Sequence, residues 1–132
     1  METLRAHRVY TDKNGETHLT RATYKGSAVS RGETSIVPAG CTRLLEGAAS
    51  AVVIREFPAG FKADYHTDPA QQHQLTLQVD GTALVECRDG GRAVLKPGDF
   101  TSVEDSVGQG HATSDAGGSG FVVLFVARPA NI

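Results

Sequence analysis

The sequence has no tryptophan, one methionine, two cysteines and only 6% aromatic residues among its 132 positions. A core without tryptophan has to be assembled from small and β-branched side chains. The two cysteines, Cys41 and Cys87, stand in no CxxC or CxxH pattern. That argues against a zinc-finger or redox motif, and both read as small buried hydrophobes. No long apolar run occurs: the longest, FVVLFVA at 121–127, has seven residues, far too few for a helix that spans a bilayer. Charge of either sign is not in excess, with 13 basic against 15 acidic residues. No basic stripe could track phosphates, so neither nucleic acid nor a membrane is an expected partner. The opening METLRAHRVY has no apolar segment of the secretory kind, and the expected compartment is the cytoplasm.

Turn residues are abundant. Fifteen glycines and five prolines divide the chain into short pieces, none of which keeps a helical period over a dozen residues. The apolar pieces are β-branched or alternating: 50–57 (SAVVIREF), 74–79 (QLTLQV), 82–87 (TALVEC), 92–95 (RAVL) and 120–127 (GFVVLFVA). Between them lie Pro-Ala-Gly at 58–60, Asp-Gly at 80–81, Asp-Gly-Gly at 89–91 and Pro-Gly-Asp at 97–99. Short strands at this spacing predict a sandwich or barrel, antiparallel throughout. Asp80-Gly81 predicts a hairpin between 74–79 and 82–87, and Asp89-Gly90-Gly91 a second one, which together make a meander. The first 35 residues are polar, with an Asn14-Gly15 turn, and read as edge strands or an arm over a barrel core at 36–128. The whole chain reads as one domain, 1–132. The FVVLFVA strand is apolar on both faces, which predicts cover on both sides and a homodimer.

Two histidines sit among recognisable spacings. Gly60 is followed by five residues (FKADY) and His66, then Asp68-Pro69, with Gln74 seven residues ahead of Gly81. Further on, LKPGDF supplies Pro97, Gly98 and Asp99, and EDSVGQGHATSD supplies His111, with Asp115 behind it. This resembles the two motifs of the cupins, small RmlC-like jelly-roll proteins. The first cupin motif carries His-x-His and a later glutamate, and the second Pro-x-Gly followed by a histidine. The sequence departs from that pattern at Asp68, where the second histidine would stand, and at Gln74, where the glutamate would stand. The resemblance implies an all-β fold, a cupin-type double-stranded β-helix (jelly-roll) barrel, with His66, Gln74 and His111 as metal ligands. Asp68 could complete a set of two histidines and one carboxylate, and His73 is the reserve ligand.

The residue types agree with that chemistry. Two imidazoles with an amide or carboxylate oxygen suit a divalent first-row ion such as iron, manganese, nickel or zinc. In a strand, residues 66 and 68 would share a face. A one-residue slip would exchange Gln74 for His73 at the interior, so the choice among Gln72, His73 and Gln74 stays open. No nucleophile-and-base signature and no phosphate-cradling loop is present. The expected function is a metal-dependent enzyme acting on a small organic molecule, by oxygenase, isomerase or lyase type chemistry, with His73 or Asp68 moving a proton. The alternatives are a metal-free barrel that binds a small ligand as a sensor or accessory protein, and a purely structural oligomerising barrel. His7 and His18 read as solvent-facing. Glu104 and Asp105 read as solvated carboxylates ahead of a turn, the alternative being a carboxylate at the mouth of the pocket.

Overall fold

The computed structural model describes residues 3–28, 41–67 and 72–128. Twelve strands run through them and no helix occurs among the described residues: β1 (Thr3–Thr11), β2 (Thr17–Lys25), β3 (Ser27–Ala28), β4 (Thr42–Arg43), β5 (Ala51–Phe57), β6 (Lys62–His66), β7 (His73–Gly81), β8 (Ala83–Glu86), β9 (Arg92–Leu95), β10 (Phe100–Glu104), β11 (His111–Asp115) and β12 (Phe121–Arg128). The five apolar pieces of the sequence fall on β5, β7, β8, β9 and β12.

Six strands form one sheet in the order β2-β1-β10-β7-β12-β5, and four form a second in the order β6-β11-β8-β9. The pair β3-β4 stands apart. Alternation sets the inner face. In β9 Ala93 and Leu95 are buried while Arg92 and Val94 are exposed, and in β8 Ala83 and Val85 are buried. These side chains meet Val9, Cys87, Phe121 and Val123 in one core between the sheets. Phe57 stacks on Phe121 with ring centroids 4.6 Å apart, and Phe61 meets Phe57 edge-on at 4.8 Å. These contacts supply the aromatic packing that a chain without tryptophan needs. Cys87 is part of the core, and burial pushes its thiol up to about 12.

Three expectations need correction. Of the N-terminal residues, β2 stands at the edge of the large sheet, as one of the two expectations had it, but β1 lies inside that sheet, with Ala6 and Val9 almost fully buried. It pairs parallel to β10, so the barrel is not antiparallel throughout. Polar composition hid this strand, because only its inward residues need to be apolar. Asp80-Gly81 is not a hairpin either. β7 pairs with β10 and β12, whereas β8 pairs with β9 and β11, so the turn carries the chain from one sheet to the other. Gly81 (φ 70°) packs so closely that a Cβ there would sit 2.2 Å from the carbonyl oxygen of Gly120. The glycine serves this corner, a use that sequence cannot distinguish from a hairpin. The second turn forms as expected, with Glu86 opposite Arg92 and Ala83 opposite Leu95 across the β8-β9 hairpin.

Candidate functional site

The two sheets enclose a cavity of about 500 Å³, within the range of small-molecule sites. Its walls are Val53, Phe57, Phe61, Phe121, Val123 and Phe125 on one side and Ala63, Ala83, Val85 and Leu95 on another. Along β7 and the residue before it every second residue faces in, so Gln72, Gln74, Thr76 and Gln78 form a polar stripe beside the aromatic residues of β12 and β5 in the same sheet. Asp105, Ser106, His66 and His111 gather toward one end of the cavity.

His66 and His111 are direct partners in the antiparallel β6-β11 pair. Their ring centroids are 4.8 Å apart, with the planes at 52°. Each ring has one nitrogen committed. Nδ1 of His111 donates to the carboxylate of Asp105 at 2.5 Å, and Nδ1 of His66 donates to the carbonyl oxygen of Asp64 at 2.8 Å. With Nδ1 holding the proton, the lone pair of a neutral imidazole lies on Nε2. Neither Nε2 has a partner among the described residues. A residue without a side chain makes this approach feasible: a Cβ at Gly110 would sit 2.2 Å from the carbonyl oxygen of His66.

The donor set fits a first-row ion in kind. Two imidazoles sharing one ion at about 2.1 Å per nitrogen, at right angles or a little wider, hold their centroids roughly 4.5–5.3 Å apart, and the observed 4.8 Å falls in that interval. Gln74 lines the same cavity and offers an amide oxygen. Asp68 lies outside the described residues. Among the described residues, no further histidine, cysteine or carboxylate joins the two rings as a third ligand; the one such cluster found is Asp12, Glu16 and His18, outside this cavity.

His73 is not among the residues that line the cavity. The pleat turns it to the opposite face of β7 from Gln74, among Arg8, Glu104 and Arg128, and burial lowers its pKa. A proton-moving role in this cavity therefore does not suit it, and of the three residues left open in the sequence Gln72 and Gln74 line the cavity while His73 does not. Asp105 lines the cavity, the less favoured of its two readings from the sequence. It is 2% exposed rather than solvated, and it orients His111. The one available signal was its spacing, six residues ahead of His111. Glu104 also is not solvated, since it accepts from Arg8 and from the buried Ser102.

His7 and His18 are not simply solvent-facing. The His7 side chain is only 12% exposed, 4.0 Å from Asp99, and burial lowers its pKa. His18 bridges Asp12 and Asp89 at 2.8 and 2.6 Å. Those two hydrogen-bonded carboxylates raise its pKa. Asp115 accepts from the backbone N–H of Gly60, Gly117, Gly118 and Gly120. These bonds hold its carboxyl below the usual range, Gly60 contributing most, and make it a turn residue rather than a ligand.

No protein-family model and no curated protein matches the sequence. Among solved structures, an RmlC-like cupin protein of Desulfovibrio desulfuricans is similar over 64% of this chain and 77% of its own, at 14% identity and a TM-score of 0.45. An ethanolamine utilization protein Q of Salmonella typhimurium is similar over 98% of both chains, at 13% identity and a TM-score of 0.44. A protein of Neisseria meningitidis is similar over 79% of this chain and 84% of its own, at 13% identity and a TM-score of 0.44. The assignment of fold rests on strand order and pairing: two sheets closed on one cavity, with the chain crossing between them at Gly81 and one histidine of each motif at the β6-β11 pair. In fold, this chain is an all-β, jelly-roll-like barrel of two sheets.

Proposed function

We propose that the barrel is a metal-dependent enzyme acting on a small organic molecule, with a divalent first-row ion held by His66 and His111 and with Gln74 beside them. The observation that carries this reading is the pair of committed Nδ1 atoms. A ligating histidine characteristically donates its other N–H to a carboxylate or a carbonyl, and here one ring does each. A bound ion supplies Lewis acidity toward a carbonyl or enolate oxygen. The protein's own part is to fix the two rings, to keep water from the apolar wall of Phe57, Phe121 and Phe125, and to orient a substrate along Gln74 and Thr76.

Elemental analysis of untagged protein, purified without added metal, tests the reading. Near-stoichiometric iron, manganese, nickel or zinc is expected, with His66→Ala and His111→Ala each losing it while the far-UV circular dichroism stays that of a β protein. Metal-free protein that also takes up none of these ions on titration would refute it. One observation favours the second reading, a metal-free ligand-binding barrel: the two histidines lack a third charged or thiolate ligand among the described residues.

A further inference from the structure

The register across the large sheet sets three rows of side chains on the cavity wall. Val123 of β12 is opposite Arg55 of β5 and opposite Gln78 of β7. One row nearer the histidines, Phe125 is opposite Val53 and Thr76, and Thr76 is opposite Thr101 of β10. Ala127, Gln74 and Val103 make the next row, nearest the histidines. Arg55 leans along the wall toward them, with its guanidinium carbon 5.6 Å from the centroid of the Phe125 ring. The charge is thus carried into the Phe125 row.

Arg55 has no carboxylate partner among the described residues. It is the one arginine or lysine among the residues lining the cavity, and the one carboxylate there, Asp105, is engaged with His111. Two further polar atoms on the same wall have no partner among the described residues. Oγ1 of Thr101 and Oε1 of Gln78 are both fully buried and unbonded, and these residues are 2% and 1% exposed. The Gln78 amide N–H groups are spent on the carbonyls of Asp80 and Gly81, so its Oε1 is left as an acceptor. A buried polar atom without a partner costs roughly 1–3 kcal/mol, and a ligand group that reaches it recovers that cost.

We propose that the ligand of this cavity is a small hydroxy-carboxylic acid with an apolar or aromatic body. Its carboxylate meets Arg55 over Phe125, its hydroxyl meets Thr101 and Gln78, and its body lies against Phe57, Phe121 and Val123. The proposal rests on the reading above only in taking this cavity as the place where the ligand binds. It adds a class of ligand and the residue that selects it.

The probes are 3-hydroxybenzoate, benzoate and the neutral 3-hydroxybenzamide, titrated by calorimetry into metal-loaded and metal-stripped protein. Arg55 is exposed on the edge strand, which screens its charge, so the hydroxy acid is expected to bind about three- to fivefold tighter than its amide. Arg55→Gln should remove that preference while leaving the affinity for the amide within about twofold. Arg55→Lys should restore part of it. Thr101→Val, which keeps the shape, should erase the preference for 3-hydroxybenzoate over benzoate. Equal binding of acid and amide, acid binding indifferent to Arg55→Gln, or no binding of any probe in either form would overturn the proposal. The two readings fail separately. Absent metal with Arg55-dependent acid binding intact refutes only the metal enzyme, and normal metal content in Arg55→Gln without acid selectivity in the parent refutes only the ligand class.

Discussion

The carboxylate of Asp105, 2% exposed, lies 2.5 Å from Nδ1 of His111, whose own side chain is 12% exposed. An acceptor buried behind a ring fixes its rotation and, for a neutral imidazole, the tautomer that leaves the lone pair on Nε2. Removing such an outer partner typically costs 10–100-fold in metal affinity. Asp105→Ala is therefore expected to weaken zinc binding by roughly 10–100-fold, measured by competition against a chromogenic chelator. Unchanged affinity would mean that His111 needs no such support.

Gly110 precedes His111 with φ at 73° and packs on the backbone of His66. Left-handed backbone alone costs an alanine about 1–2 kcal/mol, and the displaced His66 carbonyl adds to that. Gly110→Ala should lower the urea midpoint and also reduce metal uptake, because it forces β6 and β11 apart where the two rings meet. A variant with lowered stability but full metal uptake would show that the ring pair tolerates the shift.

His18 ties the β1-β2 turn to the β8-β9 turn through Asp12 and Asp89. Its pKa is raised by those partners, while the carboxyls of Asp12 and Asp89 are lowered, Asp12 chiefly by His18 and Asp89 chiefly by the Gly91 N–H. A raised histidine contributes fully below its unfolded value near 6.5 and loses that contribution as pH climbs through the folded value. The lowered carboxyls contribute above 3.8 and lose that contribution as pH falls through their folded values. The stabilising effect of the bridge should thus be greatest between about pH 4 and 6.5. His7 and His73, lowered by burial, act in the opposite sense at acid pH. The informative quantity is the difference in melting temperature between the parent and His18→Gln across pH 4–9, expected to be largest at the acid end and to shrink toward pH 9. A difference independent of pH would assign His18 a packing role only.

On β5 the side chains of Val52 and Ile54 are 65% and 67% exposed at the edge of the large sheet. An apolar edge of this kind invites pairing. Homodimerisation is the expected outcome, seen as twice the chain mass by light scattering at micromolar concentration, with Ile54→Lys shifting the population toward monomer. A monomer in the parent protein would leave that edge without this function.

What the sequence determined is the material and its punctuation. Alternation in RAVL and TALVEC, and the apolar run FVVLFVA, specified strands because a pleated chain buries every second side chain on one face, or both when the strand is internal. The Asp-Gly-Gly turn specified its hairpin, since pairing on either side of it is local. His66 and His111 stood out in the sequence through their resemblance to the two cupin motifs. Tertiary structure decided whatever depended on partners distant in the chain. Asp80-Gly81 has the same local chemistry in a hairpin and in a corner between sheets, and only the approach of Phe121 distinguishes them. The choice of Gln74 over His73 hung on a one-residue register that pairing with β10 and β12 fixed. β1 became internal because β10 accepted it in parallel, ninety-odd residues away in sequence. Asp105 became a buried partner of His111, and Arg55 a cation on the cavity wall, only once the sheets had closed. Burial and long-range pairing belong to the assembled barrel, and no single stretch of chain encodes them.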